Sequence, residues 1–150
     1  MSCRNYFPKE GDVLKDIIED SSIDRIPEIY CSIVLSFDKN INIKSIIDSL
    51  NSIGISDLKI CEPKFEPIIS VEIAIVDNEC FWDMNDALMK MFSKVNKCMI
   101  ALKKIVEIFS GKACIDISFC QYGTYPAMVV SKEIIKKIDF LEADLSIDPY

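Results

Sequence analysis

Apolar and polar positions alternate along Ile29–Phe37. Cys31, Ile33, Leu35 and Phe37 face one way, and Tyr30, Ser32, Val34 and Ser36 the other. A period of two is the mark of a half-buried strand. The spacing then changes. Ile43, Ile46, Ile47, Leu50 and Ile53 form one stripe of a helix that Asn42 can cap and that Gly54 can end in the left-handed conformation. Residues 55–61 return to a strand, and residues 68–76 form another, with Ile69, Val71, Ile73 and Ile75 on one face and Asp77-Asn78-Glu79 ending it. The longest periodic run follows. Phe81, Met84, Leu88, Met91, Phe92, Val95, Cys98, Met99, Leu102, Ile105, Val106 and Phe109 repeat at helical spacing, with Gly111 as a stop.

Ala113, Ile115, Ile117 and Phe119 predict a fourth strand. After a turn at residues 121–126, a short strand at 127–130, a helix capped by Ser131 and a last strand from Ala143 running nearly to Tyr150 are expected. Ahead of all this, Val13, Leu14, Ile17 and Ile18 behind Asp12 predict a short helix in a lead-in that ends at Pro27. The order is β-α-β-β-α-β followed by β-α-β. The fold class expected is α+β: a ferredoxin-like core over 28–120, a C-terminal extension over 121–150, and a lead-in over 1–27, all in one domain. The sheet should be mainly antiparallel, packed on one long and one shorter helix.

Composition narrows the function more than it identifies it. The 150 residues are 50% hydrophobic, enough for a real core. There are 24 acidic and 17 basic side chains, a formal net charge of -7. That balance argues against non-specific nucleic-acid binding and against docking on an anionic membrane, and it suits a basic partner. Moderate acidity also simply keeps a protein soluble. The seven cysteines include no Cys-x-x-Cys pair and lie mostly in apolar runs, as reduced thiols in a cytosol do. Met1-Ser2-Cys3-Arg4-Asn5 leads into no apolar run, so no signal peptide is expected, and no apolar segment has membrane-spanning length. A cytoplasmic location is the expectation.

The chain contains no histidine. This closes Ser-His-Asp and Cys-His catalysis and the usual histidine-bearing zinc sites. The four glycines, at 11, 54, 111 and 123, are not clustered, so no phosphate loop is expected. No catalytic residue, cofactor or metal ligand is assigned.

Several candidates have both a functional and a plainer reading. Asp116 and Asp144 sit mid-strand; they are a carboxylate pair or, more simply, two solvent-facing positions. Trp82, in Cys80-Phe81-Trp82-Asp83, is a contact residue or, more simply, a staple at the start of the long helix. Lys90, Lys94, Lys97, Lys103 and Lys104 read as the solvated face of that helix rather than as a nucleic-acid stripe. Tyr122 and Tyr125 are loop aromatics that serve as contacts or fold over the sheet edge. The tail from Asp139 carries Asp139, Glu142, Asp144 and Asp148 and no basic residue, ending at Tyr150. It is an acidic patch or a charged edge strand.

The segment Pro126-Ala127-Met128-Val129-Val130-Ser131-Lys132-Glu133-Ile134-Ile135, then Ile138, Leu141 and residues 143–150, resembles a family of small bacterial proteins of unknown function. Their ends carry a proline, an apolar strand, a Ser-x-Glu helix, then a strand with Asp and a final Tyr. The likeness spans roughly residues 28–150 and includes a Trp before a long helix. Two departures stand out: Pro149 precedes the last Tyr, and Gly54-Ile55-Ser56-Asp57 replaces a Gly-Ile/Leu-x-Pro-Thr segment. The resemblance implies a single-domain protein, with some members associated with bacterial toxin systems as immunity proteins. The expected function is therefore non-catalytic binding of a protein partner, a basic toxin domain such as a nuclease. Tyr122, Tyr125, Asp139, Glu142, Asp144, Asp148 and Tyr150 are the expected contact residues. The alternative is a ligand-sensing or regulatory ferredoxin-like domain, dimeric or not.

Overall fold

A computed structural model describes residues 26–120 and 125–149 of the chain. The lead-in helix, the centre of the Tyr122 turn and Tyr150 lie outside the described residues. Among the described residues the protein is α+β, with a five-stranded mixed sheet and four α-helices. The strands are β1 (Glu28–Asp38), β2 (Leu58–Cys61), β3 (Ile68–Cys80), β4 (Lys112–Cys120) and β5 (Asp144–Pro149). The helices are α1 (Ile43–Ser52), α2 (Met84–Ser93), α3 (Met99–Ile108) and α4 (Lys132–Phe140). The sheet order is β2-β3-β1-β4-β5, antiparallel except for β4 with β5.

One face of the sheet builds the core. Ile29, Cys31, Ile33, Leu35 and Phe37 of β1 and Ala113, Ile115, Ile117 and Phe119 of β4 are buried in one cluster with the inner faces of the helices. The Cys31 thiol donates to the Ala87 carbonyl at 3.6 Å, which ties α2 to the centre of β1. Burial raises that thiol's pKa to about 12, although Lys94 pulls the other way. The α2 helix lies on β1 and β3, α3 beside α1, and α4 beside α2.

Helix ends follow local chemistry. The side chains of Asn42, Asp83 and Ser131 accept from Lys44 N at 3.1 Å, Asn85 N at 2.7 Å and Ile134 N at 3.3 Å. Three helices close with the same pair of backbone bonds and one left-handed residue: Gly54 (φ 91°), Ser110 (φ 51°) and Glu142 (φ 52°). At the end of α3 the left-handed residue is Ser110, not Gly111. Gly111 stands one place further on, where a Cβ would come within 2.4 Å of the Phe37 ring.

Four expectations need correction. The long helix is broken: α2 and α3 are separated by a turn of 3-10 helix at Asn96–Cys98. Ser93 Oγ bonds back to the Lys90 carbonyl at 2.6 Å, and tighter backbone bonds at Lys94, Val95 and Cys98 follow. A straight helix from Met84 to Ile108 would run about 37 Å. The break lets α2 cross the sheet while α3 turns to pack beside α1. The residues at 127–130 form no strand but a single bridge between Ala127 and Asp83. The neighbouring backbone is a helix start, and the Ala127 carbonyl accepts from the otherwise unpaired Met84 N–H at 2.9 Å. The second strand starts at Leu58, because Ile55 N closes the end of α1 on the Leu50 carbonyl at 3.0 Å.

Finally, β3 runs on through Asp77-Asn78-Glu79 instead of ending there. Its 13 residues face the 11 of β1, and the surplus is taken up in two bulges, between Ile73 and Val76 and between Val76 and Glu79. Each holds a left-handed residue, Ala74 (φ 54°) and Asn78 (φ 49°). The first bulge moves Ile75 off the core face and brings buried Val76 onto it.

Candidate functional site: the polar face of the sheet

The same alternation that buries one face of the sheet collects polar side chains on the other. The β1 strand contributes Glu28, Tyr30, Ser32, Val34 and Ser36. In register beside them, β4 contributes Lys112, Cys114, Asp116 and Ser118. The parallel β5 places Asp144, Ser146 and Asp148 across from Cys114, Asp116 and Ser118. On the other side of β1, β3 brings Ser70 and Glu72 opposite Ser36 and Val34.

Hydrogen bonds hold the centre. Ser32, with 0% exposure, donates to Glu72 Oε1 at 3.0 Å, and the Tyr30 hydroxyl donates to the same oxygen at 3.2 Å. Burial, then the Glu72 carboxylate, push the Tyr30 phenol up to about 12, so it remains a donor at every physiological pH. The two donors draw Glu72 toward β1 although its register partner on β2 is Lys59. On the other side of Ser32, burial raises the pKa of Asp116, and Asp148 and Glu72 raise it further. The result is a flat surface of hydroxyls crossed by Glu72, Asp116, Asp144 and Asp148, with Lys59 and Lys112 toward its margins. Among the described residues the ion pairs are Lys90–Glu79 and Lys137–Glu133, which leave these four carboxylates out.

Of the expected contact residues, the structure brings together Asp144 and Asp148, and it joins Asp116 to them. Asp139 and Glu142 belong elsewhere: Asp139 is in the last turn of α4, and Glu142 lies in the turn after it. Tyr125 is 59% exposed and meets the Phe119 ring edge-on at 6.1 Å, at the C-terminal end of β4. Tyr122 and Tyr150 lie outside the described residues. Trp82 is half exposed, and its carbonyl accepts from Ala127 N at 2.8 Å. Ser32, Tyr30 and Glu72 were missed. Alternation already assigned Ser32 and Tyr30 to this face, but only the β1–β3 register brings Glu72 between them.

Chemically the face offers acceptors. Carboxylates spaced across adjacent strands suit guanidinium and ammonium groups, which they bind by charge-assisted hydrogen bonds. Among the described residues no group of three or more His, Cys, Asp or Glu side chains is arranged to hold a metal ion. No helix among them is long and apolar enough to cross a membrane. No family model matches the sequence, no curated protein matches it, and no solved structure matches the fold.

Proposed function

We propose that this chain is a non-catalytic binding protein that docks a basic partner surface on the polar face of its sheet. In this reading it is an immunity protein: the partner is a toxin domain, nuclease-like in its positive charge, and the sheet face covers it. The finer fold assignment belongs with this reading. The β2-β3-β1-β4 pairing order supports reading β1 to β4 as a ferredoxin-like core that α4 and the parallel edge strand β5 extend.

The observation that carries the proposal is the gathering on one sheet face of Glu72 from β3, Asp116 from β4 and Asp148 from β5, where burial first, then Asp148 and Glu72, raise the Asp116 pKa. A fold gains nothing from crowding like charges. A cationic partner would relieve the repulsion on binding, which favours the complex and speeds encounter. The net charge of -7 adds long-range attraction of the same sign.

The test is titration calorimetry against the product of the adjacent upstream gene, with association rates measured at several salt concentrations. The expected result is a one-to-one complex whose association slows as salt rises. Replacing Asp144 and Asp148 together by Lys should slow association on the order of tenfold. No complex, or a complex whose association rate ignores the double change, would overturn the reading.

A further inference from the structure

A cavity of about 350 Å³ opens at one end of the fold, where α3 and α4 both finish and the parallel strands β4 and β5 both begin. Val106 of α3, Ala113 of β4 and Leu141 after α4 line it, and each is less than a tenth exposed. They give it an apolar floor. Five charged residues line the rest: Lys103 and Glu107 on α3, Lys112 at the head of β4, Glu142 in the turn after α4 and Asp144 at the head of β5.

Cations and anions share this cavity without neutralising one another. The ion pairs among the described residues, Lys90–Glu79 and Lys137–Glu133, lie elsewhere. Lys103 and Glu107 have the spacing of a helical ion pair, yet the Lys103 ammonium sits 4.8 Å from the centre of the Phe140 ring instead. The negative ends of α3 and α4 add to the three carboxylates. Glu142 makes a second point. It closes α4 at φ 52°, whereas glycine closes α1 at Gly54. A side chain is strained in that conformation and glycine is not. What the position gains from glutamate is a carboxylate at the cavity, and that carboxylate enters no ion pair among the described residues.

We propose that this cavity binds a free aliphatic α-amino acid. Its ammonium group donates to Glu107, Glu142 and Asp144, its carboxylate accepts from Lys112 and Lys103, and its side chain lies on Val106, Ala113 and Leu141. Each part of the lining then has a partner that it lacks in the chain itself. The volume, about 350 Å³, falls near the small end of ligand pockets, about 300–1,000 Å³, as a molecule of this size requires. Asp144 borders both this cavity and the polar sheet face, but Glu142 belongs to the cavity alone, and the proposal does not depend on the immunity reading.

Titration of the full chain with L-leucine, followed by NMR, tests it. The methyl signals of Val106, Ala113 and Leu141 should shift and saturate with a Kd of about 1 mM or tighter. Isocaproate, which lacks the ammonium, and isoamylamine, which lacks the carboxylate, should each bind at least about tenfold more weakly. Glu142→Gly should weaken leucine binding about tenfold or more, while its unfolding midpoint stays equal or rises, because glycine takes the left-handed conformation without strain. Lys112→Gln, a change at an exposed strand start, should weaken it similarly. The absence of a saturable shift at these three residues up to about 20 mM leucine would overturn the proposal. So would isoamylamine or isocaproate binding as well as leucine, or leucine binding that ignores either substitution.

Discussion

The two faces of the same sheet are separated by one residue step along each strand, and they obey different rules. On the covered face, Ile33, Ile115 and Phe119 are fully buried in one hydrophobic cluster, where burial of apolar surface favours the fold. On the polar face, Ser32 is just as inaccessible, yet it is surrounded by acids whose mutual repulsion the fold must absorb. Burial alone therefore does not say what a position is for. The covered face is organised for stability, and the polar face keeps charge that stability does not require.

The largest test of this contrast is to remove bulk on each side of one strand. Phe119→Ala should cost about 3–5 kcal/mol in denaturant unfolding, the range for a fully buried aromatic. Ser118→Ala, the adjacent residue on the polar face, should stay within about 0.5 kcal/mol. A similar loss at both positions would break the distinction.

Thiol labelling separates the faces next. Cys31 is buried with its thiol pushed up to about 12, whereas Cys61 is exposed on β2. At pH 8 Cys61 should be alkylated at least about 100-fold faster, a gap of about 2.8 kcal/mol in opening free energy. Equal rates would mean that the covered face opens readily.

Ser32→Ala probes the one buried hydroxyl of the polar face. It removes one of the two donors to Glu72 and should cost about 1 kcal/mol. An unchanged midpoint would show that Tyr30 alone satisfies Glu72.

The smallest effect expected is a gain. In the fold the Asp116 pKa is raised above its ordinary 3.8 by burial, Asp148 and Glu72. A carboxyl raised in this way favours the fold fully below its unfolded pKa, and that contribution is lost as pH rises through the folded value. Asp116→Asn should therefore be slightly more stable than the parent at pH 7, with the gain vanishing below pH 3.8. In a carboxyl-carbon NMR titration, Asp148→Asn should lower the Asp116 midpoint. A midpoint that does not move would remove Asp148 as a cause.

How much of this could be read in advance depended on whether a feature was local. The caps at Asn42 and Ser131, the left-handed Gly54 and the alternation in β1 and β4 all lie within a few residues of their cause, and the structure shows each of them. The break between α2 and α3 could not be seen, because the apolar stripe continues in phase across Val95 and Cys98. The bulges could not be seen either: Asp77-Asn78 has the composition of a strand end, and Asn78 instead adopts its left-handed conformation within a strand that continues. Glu72 joined the site only through register between strands 40 residues apart, and that is a property of the assembled sheet. For the same reason the expected acidic patch divides. Asp144 and Asp148 alternate onto one face of β5, while Asp139 and Glu142 belong to a helix end.

The two bulges of β3 behave like a pair of compensating frameshifts. Each inserts one residue and shifts the sequence alternation beyond it, and the second restores what the first shifted. Deleting Ala74 alone would remove the first bulge and leave Val76 two positions from Ile73, still opposite Cys31 on the core face. Deleting Ala74 and Asn78 together would leave 11 residues against the 11 of β1, with Glu79 still beside Ile29. Deletion of either bulge residue should therefore be tolerated better than deletion of a regularly paired residue such as Val71, which inverts the facing of its neighbours.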